Sequence, residues 1–256
     1  MTSSIQSLEQ TFAVRYHEVD PRGMVRLPVV MTWLQDAGIE HSRKMGVSVN
    51  DLAEKGLIWV LSRLTLQMER YPGCAEEILV RTWPVTRKGL FSIRDYYLLD
   101  DNAIIIGRAT TSWAVLDLKT RRPVRISEHL PSYQLKDERA LDDPFETLPV
   151  LEGGGSGALE LPVLRADLDQ NCHVNNTVYA GWAIEAVPAE IADNSIATTI
   201  EIGFRAEAVY GDSIRSICSP AASDPPTVIH RIEHAADGRE LARMRTTWRA
   251  VTPPSS

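Results

Sequence analysis

The chain has 256 residues, 44% of them hydrophobic and 24% charged, which is enough for one large domain or two smaller ones. Its 27 basic and 34 acidic residues give a formal net charge of −7, which argues against a protein that binds the nucleic-acid phosphate backbone. No apolar run approaches the roughly 18 to 20 residues of a membrane-spanning helix. Residues 1–10 lack the pattern of a signal peptide, and three cysteines without a CxxC pair do not suggest a disulfide framework. We therefore expect a cytoplasmic protein.

The first half begins with a strand pattern and a helix pattern. Residues 11–18 alternate between apolar and polar side chains, which predicts a strand. Residues 28–45 predict an amphipathic helix, with proline at its start and Gly46 at its stop. Its apolar face carries Val30, Trp33, Leu34 and Ala37. Four segments with strand patterns follow, at residues 58–71, 77–83, 89–99 and 103–116.

The second half repeats this order of elements. A predicted strand at residues 159–166 leads into the polar segment 167–173 (DLDQNCH) and then into a helix from about Asn176. Pro188 should end or kink that helix. The apolar face of the helix carries Tyr179, Trp182, Ala183 and Ala186, with Trp182 at the point equivalent to Trp33. Four segments with strand patterns follow again, at residues 197–207, 213–219, 227–234 and 240–251.

The final strands of the two halves also have similar sequences. Residues 108–113 (RATTSW) and 243–248 (RMRTTW) match at a spacing of 135 residues. Agreement of strand, turn, helix and final strand in the same order indicates a duplicated unit, in which an antiparallel sheet wraps its apolar face around one helix. Residues 119–157 contain four prolines and the run GGGSG, which is typical of a linker.

The polar segment before the second helix is the strongest candidate for a functional site. In an extended segment alternate side chains point the same way, so Asp169, Asn171 and His173 could share a face. The following helix N-terminus supplies N–H donors and a positive dipole end, which suit a developing oxyanion. The alternative is a turn with a helix N-cap, in which these side chains make only local hydrogen bonds. A zinc site is less favoured, because no HxxxH or cysteine pair accompanies the cluster.

Residues 167–185 (DLDQNCHVNNTVYAGWAIE) closely resemble the signature of acyl-ACP thioesterases, a family built from two hotdog domains in one chain. Residues 18–23 (EVDPRG), 59–63 (WVLSR) and 120–124 (TRRPV) resemble segments of its bacterial members. The resemblance covers roughly residues 10–250. It implies an α+β fold of two tandem hotdog domains, each an antiparallel sheet wrapped around a central helix. We expect an N-terminal hotdog domain at residues 1–130, a linker at 131–157 and a catalytic C-terminal hotdog domain at 158–256.

The resemblance also implies an activity and its residues. The activity is hydrolysis of fatty acyl-ACP to free fatty acid, which ends chain elongation. By position, the catalytic Asp, Asn and His of the family fall on Asp169, Asn171 and His173, and its acidic residue falls on Glu207. Plant relatives carry a cysteine beside that glutamate. Here the position is Ala208, which favours direct attack by water.

The first copy and the remaining cysteine and histidine residues are expected to carry no chemistry. Residues 21–23 (PRG) follow Asp20 where the second copy has its amide and imidazole. Strand alternation would turn Cys172 to the opposite face, so we expect it to be a packing residue. His17 and His41 lie in the first half without an Asn or His partner, and we expect structural roles for them.

The resemblance implies that the N-terminal domain holds the acyl chain. An apolar channel between helix and sheet would gain roughly 0.8 kcal/mol per buried methylene. Its candidate lining residues, each of which could instead be ordinary core, are Trp33, Trp59, Met31, Met68, Leu64 and Leu61.

The expected partner is acyl carrier protein bearing a fatty acyl chain. That carrier is acidic, so docking requires a local basic patch on this acidic chain. The densest basic run is Arg121, Arg122 and Arg125, although such runs are commonly solvated faces. We expect no cofactor or metal and no nucleic-acid or membrane partner, and a homodimer is one arrangement considered.

Three other functions fit the same pattern of residues. An acyl-CoA thioesterase of the same fold would differ in its carrier. A hotdog hydratase or dehydratase would add or remove water at an enoyl group. A non-catalytic acyl-binding protein is argued against by the complete set of Asp169, Asn171, His173 and Glu207.

Overall fold

The computed structural model describes residues 6–221 and 223–251. Contacts between residues divide the chain into two compact units. The first unit comprises the described residues up to Leu64 together with Met68–Pro144. The second comprises Thr65–Gln67 and the described residues from Phe145 onward. The precise domain boundaries given above stay a prediction.

The first unit combines one long helix with a mostly antiparallel arrangement of strands. Its strands neighbour one another in the order β1-β3-β4-β5-β2. The helices are α1 (Leu27–Lys44), α2 (Val49–Ala53) and α3 (Ile126–His129). The strands are β1 (Leu8–Ala13), β2 (Leu57–Met68), β3 (Glu77–Lys88), β4 (Phe91–Leu99) and β5 (Ile105–Asp117).

The second unit repeats this plan with a shorter helix. Its strands neighbour one another in the order β7-β10-β9-β8-β6. The helices are α4 (Asn176–Glu185) and α5 (Ala189–Ala192). The strands are β6 (Gly157–Pro162), β7 (Ser195–Phe204), β8 (Ser213–Ala221), β9 (Thr227–His234) and β10 (Glu240–Ala250). No helix in the described part of the chain is both long and apolar enough to cross a membrane.

The two main helices form where the sequence predicts them. Pro28 lies in the first turn of α1, where its missing N–H costs nothing, and Gly46 follows the helix at a φ of +69°. In α4 the Asn175 side chain caps the helix by accepting the backbone N–H of Thr177 at 3.0 Å. The faces predicted to be apolar are buried in both helices. The helix-against-sheet α+β architecture is therefore confirmed.

The predicted first strand of each half ends early, and a single 3-10 turn follows it. In the first copy the Glu18 carboxylate accepts the backbone N–H of Arg15 at 2.8 Å. In the second copy the Asp167 carboxylate accepts the backbone N–H of Leu164 at 2.7 Å. A carboxylate that takes a backbone donor three residues earlier competes with strand pairing. The same departure from the predicted strand in both copies supports the duplication.

The predicted linker, residues 131–157, is bonded to the sheets along its length. In its first part, Trp83 Nε1 donates to the carbonyl of Glu138 at 2.8 Å. Arg139 Nε donates to the buried carboxylate of Asp95 at 3.0 Å. These bonds hold the start of the segment against β3 and β4.

The second part of the same segment is held by two arginines of the second unit. Arg243 Nη1 donates to the carbonyl of Leu148 at 3.0 Å. Arg231 donates through Nη1 to the carbonyl of Leu151 at 2.7 Å and through Nη2 to that of Gly153 at 3.1 Å. The proline and glycine content therefore marks an irregular but bonded segment.

The Asp95 carboxylate generates a prediction for stability. It is fully buried and accepts hydrogen bonds from Thr110 Oγ1 at 2.5 Å, the Ala140 N–H at 2.7 Å and Arg139 Nε at 3.0 Å. Asp95→Asn removes the charge that faces Arg139 and should lower the free energy of unfolding by about 2–4 kcal/mol. Urea unfolding measures this change. The exposed Asp142→Asn, in the same linker segment, serves as control and should stay within about 0.5 kcal/mol. Equal stability of the two variants would contradict the anchoring role.

The buried His230 predicts a loss of stability in acid. Burial lowers its pKa to about 4, against about 6.5 in the unfolded chain, so the folded state keeps the ring neutral. The associated stability is complete above pH 6.5 and is lost as the pH falls toward 4, because only the unfolded state takes up the proton. Between pH 7 and pH 5 the wild type should lose about 2 kcal/mol more than His230→Gln. Urea unfolding at both pH values measures the difference, with the exposed His129→Gln as control. A wild-type slope equal to that of His230→Gln would exclude this assignment.

Candidate active site

The polar segment before α4 is a tight turn followed by a helix N-cap at Asn175, as in the alternative, and the extended segment assumed for the alternation of side chains is wrong. Asp169 Oδ1 accepts the backbone N–H of Asn171 at 2.8 Å and that of His173 at 3.4 Å. The Asp169 N–H donates to the carbonyl of His173 at 2.8 Å and closes the turn. An aspartate that bonds backbone donors two and four residues ahead favours a turn over a strand. The three candidate residues are thus gathered around one carboxylate, and they do not share a pleated face.

Cys172 lies at the apex of this turn, and its expected packing role is wrong. Its φ is +62°, in the left-handed region that side chains rarely adopt, and its side chain is exposed. Strand alternation does not apply to a residue in this conformation. The equivalent position of the first copy is Gly23, with a φ of +77°. The backbone of the turn favours glycine, and Cys172 occupies a glycine position.

His173 and Glu207 meet side chain to side chain. His173 Nε2 lies 2.8 Å from Glu207 Oε2, and the two side chains are 30% and 39% exposed. His173 also pairs with Val209 in an isolated antiparallel bridge. Residues separated by 34 positions in the chain are therefore brought together by backbone pairing, and both remain within reach of water.

Tyr179 holds the backbone next to Glu207. Its hydroxyl oxygen accepts the N–H of Ala208 at 3.2 Å. The ring is buried, and burial together with the nearby Glu207 charge raises the pKa of Tyr179 to about 12. Sequence reasoning placed Tyr179 only on the apolar face of the helix and missed this bond. The available signal was the hydroxyl itself, because a buried tyrosine oxygen usually finds a partner.

The first copy has the same turn with different side chains. Asp20 Oδ1 accepts the N–H groups of Arg22 at 2.9 Å and Met24 at 3.0 Å, and its own N–H donates to the Met24 carbonyl at 2.7 Å. Arg22 and Met24 thus stand where the second copy has Asn171 and His173. The sequence places the replacement of the imidazole within residues 21–23. In the structure the residue at the position of His173 is Met24.

The residue that corresponds to Glu207 follows from matching backbone bonds. The Val25 N–H donates to the carbonyl of Pro72 at 2.9 Å, just as the Val174 N–H donates to that of Ala208 at 2.9 Å. The residue before Pro72 is Tyr71, which therefore takes the place of Glu207. The first copy has the turn but lacks the imidazole and the carboxylate.

The candidate acyl-chain residues lie in the interior. Trp33, Met31, Leu64 and Met68 are buried, and Trp33 stacks on Phe12 with ring centroids 5.9 Å apart. Trp59 is partly buried, and its Nε1 donates to the carbonyl of Val47 at 2.9 Å. These positions fit core packing, and a role in holding the acyl chain stays a prediction.

The three candidate docking arginines are exposed in and after the turn that follows β5. Arg125 Nη1 lies 3.9 Å from Glu128 Oε1, a weak surface pair. The Arg121 N–H donates to the carbonyl of Asp117 at 2.8 Å, and this backbone bond shapes the turn. Their role in docking stays a prediction. Within residues 6–221 and 223–251, no three His, Cys, Asp or Glu side chains cluster closely enough to hold a metal ion.

Solved structures share this fold. The 12:0-ACP thioesterase from Umbellularia californica superposes with a TM-score of 0.84 at 24% identity, covering 96% of this chain and 95% of that one. An acyl-ACP thioesterase from Bacteroides thetaiotaomicron gives a TM-score of 0.83 at 22% identity, covering 95% and 98%. These similarities confirm the tandem hotdog fold expected from the sequence.

Related sequences match nearly the whole chain. Oleoyl-acyl carrier protein thioesterase 1 of Arabidopsis thaliana is 27% identical over 97% of this chain and 78% of its own length. The dodecanoyl-[acyl-carrier-protein] hydrolase of Cinnamomum camphora is 28% identical over 94% of this chain and 67% of its own. The family models of the acyl-ACP thioesterase N-terminal and C-terminal domains match residues 6–133 and 155–250. This chain belongs to the acyl-ACP thioesterase family.

Proposed function

We propose that this chain hydrolyses the thioester of fatty acyl-ACP in a single displacement by water, with its chemistry in the second copy. The observation that carries the proposal is the 2.8 Å contact between His173 Nε2 and Glu207 Oε2, beside the turn that presents Asn171. The first copy, with the same turn, has Met24 and Tyr71 at the corresponding positions. Family membership and relatives named for oleoyl, palmitoyl and dodecanoyl thioesters of the carrier support the substrate class.

Glu207 and His173 together provide the general base. A hydrogen bond between them, with Glu207 ionised and the ring neutral, requires that His173 Nε2 carry the proton. The lone pairs able to accept a proton from water then lie on His173 Nδ1 and on the Glu207 carboxylate. Both side chains are partly exposed, so a water molecule can reach either group.

Asn171 is placed to polarise the thioester carbonyl. Its Nδ2 donates one hydrogen to Asp169 Oδ2 at 3.3 Å, which orients the amide, and the second hydrogen can donate to the carbonyl oxygen. The N-terminus of α4 adds its positive dipole end near the same turn. The water oxygen attacks the carbonyl carbon, and negative charge collects on the carbonyl oxygen. When the tetrahedral species collapses, the carbon–sulfur bond breaks and the thiolate takes up the proton held by the base.

This scheme needs no protein thiol. The position after Glu207 is Ala208, and Cys218 is buried with its Sγ 2.9 Å from the carbonyl of Ala186. Burial raises the pKa of Cys218, which disfavours the nucleophilic thiolate. Cys172 is exposed and adjacent to His173 in the chain, so it is the thiol that an experiment must test.

Substitutions at Glu207 and Cys172 distinguish hydrolysis by activated water from catalysis by a protein thiol. Glu207→Gln should lower kcat on a long-chain acyl-ACP by about 100-fold or more, because it removes the carboxylate that supports proton transfer. Cys172→Gly should retain wild-type turnover, because glycine accepts the left-handed backbone of the turn. Release of free fatty acid measures both variants. Loss of turnover in Cys172→Gly with retention in Glu207→Gln would refute hydrolysis by activated water.

For the remaining predictions from the sequence, we propose that the first unit holds the acyl chain and that Arg121, Arg122 and Arg125 dock the acidic carrier. Arg122→Glu should raise KM for acyl-ACP by roughly fivefold and leave KM for acyl-CoA nearly unchanged, because only the carrier protein presents an acidic surface. The exposed Arg15→Glu, which makes the same charge change just after β1, three strands away from β5, is the matched control. Equal effects on both substrates would remove the docking assignment and favour an acyl-CoA thioesterase. A cytoplasmic location and a homodimer stay predictions.

A further inference from the structure

One hydrogen bond distinguishes the two copies beyond the candidate residues themselves. In the second copy the hydroxyl of Tyr179 accepts the N–H of Ala208. Aligning the Asp20 and Asp169 turns places Val30 at the position of Tyr179, and the matching backbone bonds place Pro72 at that of Ala208. Valine has no hydroxyl and proline has no N–H, so the first copy lacks both the acceptor and the donor. The bond therefore occurs only in the copy that carries His173 and Glu207.

The peptide groups around Ala208 are held on both sides. The Ala208 N–H is bonded to Tyr179, and its carbonyl accepts the N–H of Val174 at 2.9 Å. The next N–H, that of Val209, donates to the Asp212 carboxylate at 3.0 Å. Val174 directly follows His173 in the chain. The backbone at Ala208 is thus hydrogen-bonded both to Tyr179 of α4 and to Val174.

Packing within the second unit fixes the position of the Tyr179 hydroxyl before any substrate binds. The ring is 2% exposed and lies edge-on to Trp182 and Phe204, with centroids 5.3 Å and 5.8 Å away. Phe204 ends β7, three residues before Glu207. With a pKa raised to about 12, the phenol stays protonated at neutral pH, so it serves as a fixed hydrogen-bonding group and not as a proton shuttle.

We propose that Tyr179 is a positioning residue for the hydrolysis proposed above, fixing the backbone at Ala208 so that the Glu207 carboxylate stays on His173 Nε2. The inference rests on the proposed function only for its catalytic consequence. The hydrogen bond from the Ala208 N–H to the Tyr179 hydroxyl, called the clamp below, is itself a property of the folded chain.

Tyr179→Phe tests the clamp, because it keeps the ring and removes only the acceptor oxygen. On acyl-ACP we expect kcat to fall by about tenfold with KM nearly unchanged, since the base is misplaced while the substrate contacts remain. The acidic limb of the pH profile of kcat/KM should shift, because the pairing of Glu207 with His173 is loosened. Tyr96→Phe, which removes the hydroxyl of a buried tyrosine in the first unit, is the matched control and should keep both kcat and the pH profile.

Hydrogen exchange followed by mass spectrometry provides a readout that does not depend on activity. The peptide containing Ala208 should exchange faster in Tyr179→Phe than in the wild type, while peptides of β8 and β9 stay unchanged. Unchanged exchange at Ala208, or a kcat within twofold of wild type, would overturn the proposal. A loss of kcat in proportion to the loss of folded protein, with an unchanged pH profile of kcat/KM, would overturn it as well. If the wild type released no fatty acid from acyl-ACP, the proposed function would fail, whereas the exchange result would still judge the clamp.

Discussion

The carboxylate of Asp169 is the constraint on which the candidate site depends. By accepting backbone N–H groups from Asn171 and His173, it bends the chain into a turn immediately before α4. That turn delivers His173 to the strand-like segment at Val209, so the imidazole faces the carboxylate of Glu207. The same carboxylate orients the Asn171 amide through its second oxygen. Removing its charge would therefore disturb the contact between His173 and Glu207, the orientation of the Asn171 amide and the start of the helix together.

The two copies share one turn of the backbone, which serves as a frame for different side chains. Both begin with an aspartate that closes a turn through its own N–H and carboxylate, and both place a left-handed residue at the apex. In the first copy that frame presents Arg22 and Met24, and the segment bridged to Met24 at Gly73 presents Tyr71. The family assignment gives the whole chain one activity, while the geometry concentrates the suitable side chains in the second copy. Duplication of a stable turn thus leaves one copy available for a different task.

The sequence allowed prediction of those parts of the fold that depend on local patterns. Both main helices and their buried faces followed from the spacing of residues such as Trp33 and Trp182, because helix periodicity is a short-range property. The identities of His173 and Glu207 followed from the family resemblance, and the structure shows them in contact. The alternation expected at Cys172 is wrong, because its N–H bonds to the Asp169 carbonyl in a turn that the Asp169 carboxylate stabilises. The Tyr179–Ala208 bond and the anchoring of Arg139 on Asp95 join distant positions, and no local pattern reports such partners.

Proline at position 72 has an evolutionary consequence. An asparagine at position 22, a histidine at position 24 and a glutamate at position 71 would return the reactive groups to the first copy, and its turn is already in place to receive them. The backbone at Pro72 would still have no hydrogen to offer, and Val30 no oxygen to receive it. Recovery of a second reaction centre would thus require at least five coordinated replacements, of which the two at positions 30 and 72 add nothing until the others are present. Once its two halves had diverged in this way, the chain was committed to a single centre.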